Sequence, residues 1–175
     1  MRALVWCALG CMATGCASTV ETVDHRMLLQ PGTAQYEMDE LELFLMPMEL
    51  DAPLPAFPVR VVADEVPPIT ACVEVWLSAD GDVTRLAPLH DLPGCSAAGD
   101  DALAHFEQSV LAALHGWSFT PARVCRFRED QREKRERGDC RGDVEVERVP
   151  VRLAYAFRFE RHGGRAAVGS RRLPD

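Results

Sequence analysis

Four cysteines in the body of the chain, Cys72, Cys95, Cys125 and Cys140, are the residues whose type could most readily do chemistry. A structural zinc site needs thiolates two to four residues apart, or a cysteine pair completed by a histidine pair, and neither spacing is present. In an oxidising compartment an even set of cysteines points instead to two disulfides. Three pairings are open, and Cys72–Cys95 with Cys125–Cys140 is favoured because both close local loops. The loop-entropy relation gives each such bond about 3 kcal/mol. His105 and His115 share a predicted helix but stand too far apart to act together, and Asp100 and Asp101 suit a helix cap better than an acid–base pair. No Gly-x-Ser-x-Gly elbow, phosphate-binding glycine loop or His-Glu-x-x-His pair occurs. Arg141-Gly142-Asp143 matches a cell-adhesion tripeptide, as an arginine-rich charged loop does by chance. These residues point to no catalytic group and no cofactor.

The compartment is set by the first residues. Met1-Arg2 is followed by a short, almost wholly apolar or small stretch to Ala13, then Thr14-Gly15-Cys16-Ala17. A bilayer span needs about 20 apolar residues, so this pattern reads as a secretory signal peptide over residues 1–15. Thr14-Gly15-Cys16 resembles the lipobox of bacterial lipoproteins, with Ala13 where that family more often has leucine. The resemblance implies a lipid on Cys16 and, with Ala17 next, the outer membrane. An ordinary cut after Ala17 is the alternative.

Loss of residues 1–15 leaves enough chain for one domain with a modest core. The charge of −8 becomes −9 without Arg2, which argues against nucleic acid as a partner. Residues 16–35 are polar and lack sustained periodicity, and read as a tether. Residues 36–64 are apolar but broken by Pro47, Pro53, Pro55 and Pro58, and predict a strand-like extension in which Leu41, Leu43 and Leu45 face a core.

The main domain is expected over 65–162. Val73, Val75 and Leu77 alternate with Cys72, Glu74 and Trp76, and Asp80-Gly81 marks a hairpin returning through Val83 to Leu89. Leu103, Phe106, Val110, Leu114 and Trp117 form one helical stripe that Gly116 is placed to end. Phe119-Thr120-Pro121-Ala122 opens a strand, Arg126 to Asp143 reads as a solvated loop, and Val149 to Phe159 is the cleanest strand of all. A tail from residue 163 is expected to be disordered. The order implies an α+β fold, a small antiparallel sheet with a main helix on one face.

Three landmarks resemble the TonB C-terminal domain family over about residues 66–160. They are the hairpin from Val73 to Val83, the run Gly116-Trp117-Ser118-Phe119-Thr120-Pro121-Ala122, and the closing Val149-Pro150-Val151-Arg152-Leu153. The resemblance implies a strand–strand–helix–strand–strand arrangement and a binding module, not an enzyme. In the family an extended peptide of an outer-membrane receptor adds beside the last strand. That places a partner against Val151, Leu153, Tyr155 and Phe157, by β-augmentation. The expected partner is an envelope protein or peptide, such as a TonB-dependent receptor, with the membrane held through the N-terminal lipid. An energy transducer with an uncleaved N-terminus, and a structural lipoprotein without a discrete ligand, are the other two readings.

Overall fold

The structure, a computed structural model, describes residues 22–28, 38–63, 65–97 and 101–162. The expected signal, Cys16, the carboxyl tail, Asp100 and the side chain of Asp101 lie outside the described part. In chain order the strands are β1 (Thr22–Leu28), β2 (Glu42–Leu45), β3 (Glu49–Asp51), β4 (Val66–Leu77), β5 (Val83–Leu89), β6 (Ser118–Phe119), β7 (Arg123–Arg126), β8 (Glu145–Arg148) and β9 (Val151–Arg161). Helix α1 (Asp101–Leu114) lies between β5 and β6; a 3-10 turn (Glu129–Gln131) and α2 (Arg132–Glu136) lie between β7 and β8. The fold is α+β, built from small antiparallel sheets.

The largest sheet has the order β1-β9-β4-β5, every pair antiparallel. Strand alternation sends Val73, Val75 and Leu77 of β4 and Leu153, Tyr155, Phe157 and Phe159 of β9 to one face, where all seven are buried. The α1 stripe meets them: Leu103, Phe106, Val110 and Leu114 are buried at three- and four-residue steps. Each such side chain contributes about 1.5–3 kcal/mol on full burial. After Leu114 the helix ends in a turn, with Gly116 N–H donating to the Ala113 carbonyl.

Trp117 then sits edge-on to Tyr155 at 5.3 Å and to Phe157 at 5.9 Å, wedging the end of α1 against β9. Its indole N–H donates to the Pro53 carbonyl at 2.9 Å, so this large ring buries no unpaired donor. The β4–β5 turn carries Gly81 at φ 92°, the left-handed region that favours glycine.

Three expectations need correction. Residues 16–35 are not tether throughout, because Thr22–Leu28 forms β1. The unsatisfied backbone of β9's edge supplies partners that composition cannot reveal. Pro55 to Pro58, within the expected strand-like extension, form no strand; Phe57 instead plugs the core, 5.3 Å from Phe106 and 6.0 Å from Phe159. The stretch from Arg126 to Asp143 is more than a solvated loop. It holds the 3-10 turn and α2, and Phe127 within it forms a second small core with Cys125 and Val144, against which Leu43, Leu45 and Cys140 pack.

Candidate binding edge

The four residues expected to meet a partner lie on one row of β9. Leu153, Tyr155 and Phe157 are buried beneath α1 and Val151 is half-buried against the same cluster. Their side chains are therefore core, and what β9 can offer a partner is its backbone. In an antiparallel strand both polar groups of a residue point to one neighbour, and the next residue's point to the other. On one side β9 pairs with β4, from Val151 opposite Leu77 to Arg161 opposite Val66. On the other it pairs with β1, from Leu28 opposite Ala154 to Thr22 opposite Glu160. Val151, Arg152 and Leu153 have a partner on the β4 side alone among the described residues.

Opposite the helix, the sheet carries charge around small residues. Ala154 and Ala156 are buried there, Arg152 Nε is 3.0 Å from Glu74 Oε1, and Arg85 stacks 4.5 Å above the Trp76 ring. Cys72 of β4 is bonded to Cys95, whose loop is held further by Ser96 N–H donating to the Thr70 carbonyl at 2.9 Å. Cys125 of β7 is bonded to Cys140, beyond α2.

Tyr155 extends past the aromatic cluster to donate its hydroxyl to Glu49 of β3 at 2.7 Å. Burial, and next the carboxylate acceptor, push this phenol far above its usual range. In the charged loop Asp143 is held well below the usual carboxylate range, by hydrogen bonds from Lys134 first and Arg128 second. The Arg-Gly-Asp tripeptide is engaged internally: Arg141 Nε lies 2.8 Å from Asp139, and Asp143 lies 2.7 Å from Lys134 Nζ.

Candidate chemical groups stay apart. His90 is paired with Glu107, while His105 and His115 sit at separate points along α1 and its end. No group of three His, Cys, Asp or Glu among the described residues could hold a metal ion. No helix of the described part is long and apolar enough to cross a membrane.

Sequence reasoning missed β1 and the outward row Met46, Met48 and Leu50 beside β3, all three exposed. The signal for β1 was a weak alternation of Val23 and Met27 with Thr22, Asp24 and Arg26, interrupted by His25. Compared with protein-family models, with curated proteins and with solved structures, the chain has no significant match in any of the three.

Proposed function

We propose that this chain is a periplasm-facing binding module resembling the TonB C-terminal domain, anchored to the outer membrane by a lipid on Cys16. It takes an extended segment of an envelope protein, such as an outer-membrane receptor, as a strand beside β9. The observation that carries this reading is the pairing of β1. A segment joined to the domain by a separate stretch lies along β9 for seven successive residues without a register shift, so this edge fits an added antiparallel strand. Two disulfides support an oxidising compartment. Binding is favoured over catalysis because the titratable groups that cluster between residues 128 and 143 are spent in ion pairs with one another.

The same pairing favours a second reading, a structural lipoprotein whose sheet is closed by its own chain. A photo-crosslinking residue at Arg158, exposed on β9, separates the two in cells. The binding reading expects one envelope protein, crosslinked through one extended segment, and a synthetic copy of that segment should protect β9 amides in the purified chain. Absence of any discrete product leaves the structural reading. Mass spectrometry of the mature protein addresses the anchor: a diacylated Cys16 fits the lipoprotein, and an intact start at Met1 would fit an energy transducer.

A further inference from the structure

We infer that β1 is a resident stand-in strand that gates the edge of β9, so that a partner segment binds by displacing it. The inference rests on the edge-binding reading above. In the main sheet, among the described residues, β1 has one neighbour, β9, whereas β4 is held from both sides. Among the residues whose side chains are described, the buried members of the apolar cluster under α1 run from Phe57 to Phe159. Undocking β1 breaks its ladder with β9 and leaves the β9-β4 and β4-β5 ladders in place. The segment also shows what the edge accepts. Thr22-Val23-Asp24-His25-Arg26-Met27-Leu28 is a mixed polar and apolar stretch free of proline and glycine.

Residues 29–37 join β1 to the rest of the domain, so β1 competes from the same molecule, at an effective concentration on the order of millimolar. An incoming strand must outcompete it, and its apparent affinity falls by the fraction of time the edge is closed. With Cys16 acylated, displacement has a second effect. Docked, β1 leaves residues 17–21 to reach the membrane, about 20 Å at full extension; released, residues 17–37 reach about 75 Å.

The test uses the full mature chain and a fluorescent synthetic peptide spanning residues 20–30. In one variant Asp24→Pro and His25→Pro break β1. Adjacent residues of a strand face opposite neighbours, so one of the two prolines removes a donor aimed at β9. In a second variant Thr22→Cys and Glu160→Cys, which face each other in the register, lock β1 in place by a disulfide. The peptide should bind the broken variant at least tenfold more tightly than the unaltered chain. The locked variant should not bind it, and in the broken variant the bound peptide should restore protection on alternate amides between residues 154 and 160. Equal binding to the broken and unaltered chains overturns the gate and leaves the edge reading standing. Equal binding to the locked and unaltered chains overturns the gate, because the peptide then sits elsewhere. If the broken variant has open alternate amides yet binds nothing, the edge reading falls with it. Should the prolines disturb folding, the comparison of locked and unaltered chains still decides.

Discussion

The Tyr155 hydroxyl donates to Glu49 Oε1 at 2.7 Å, tying the last strand to an extension 106 residues earlier in the chain. Because the folded protein holds this phenol above its unfolded value, the associated stability is complete below about pH 10 and is lost as pH rises beyond it. The chain has two tyrosines, so Tyr36→Phe leaves Tyr155 alone to report. Ultraviolet titration of that variant should show no phenolate until the protein unfolds in alkali. A midpoint near pH 10 in the folded protein would contradict the contact. Tyr155→Phe should cost about 1–2 kcal/mol in urea unfolding, since the Glu49 acceptor loses its donor.

Gly81 is fixed by the backbone of β6. A Cβ added there would lie 2.5 Å from the Phe119 carbonyl oxygen, and the φ of 92° is strained for any side chain. Backbone cannot swing aside as a flexible side chain would. Gly81→Ala is expected to destabilise by about 2–4 kcal/mol, combining left-handed strain with overpacking. Urea unfolding with an unchanged slope should show it. A loss under about 0.5 kcal/mol, the range of ordinary surface changes, would mean the turn does not pack on β6.

Features written locally in side chains were legible in the sequence. Asp80-Gly81 predicted the β4–β5 turn, and Leu103, Phe106, Val110 and Leu114 predicted the buried face of α1. The alternation from Val149 to Phe159 predicted β9, which begins two residues later at Val151, and read alone it also made those side chains look available to a partner. Alternation says that one row is apolar; it does not say what already covers that row, which here is α1 and Trp117. The pairing of β1 was less legible still. Its partner is more than a hundred residues away, and the bonds involved belong to the backbone, which every sequence shares. Leu43 and Leu45 were read as core-facing, but the second core they join needs Phe127 and Val144 from inside and beyond a charged stretch.

Two disulfides should stabilise different parts. Cys125–Cys140 closes the segment holding α2 over a small core of Phe127 and Val144, whereas Cys72–Cys95 ties a surface loop to the central strand β4. Replacing Cys125 and Cys140 with alanine should cost about 3 kcal/mol by loop entropy, felt mainly between residues 126 and 146. Hydrogen exchange should rise there while α1 and β4 stay protected. Uniform loss of protection would show that the two cores unfold as one unit.

Acid should loosen the same segment. Asp143 is held low by Lys134 at 2.7 Å and by Arg128 at 2.8 Å, and Glu129 and Asp139 are lowered by Arg132 and Arg141. A carboxylate with a depressed folded value stabilises the fold above its unfolded pKa of about 4, and that contribution is lost as pH falls through the folded value. Asp143 and Glu129 are exposed and Asp139 is half-exposed, so salt screens them and each contribution is small. The readout must therefore be local. Protection factors of the Gly138 and Asp139 amides, which donate to Arg135 and Lys134 carbonyls, should fall between pH 5 and pH 2. They should fall less in Asp143→Asn, which has already lost the charge at neutral pH. If the substituted and unaltered chains respond to acid alike, the ion pairs are not what orders the segment, and the Cys125–Cys140 bond with the Phe127 core holds it alone.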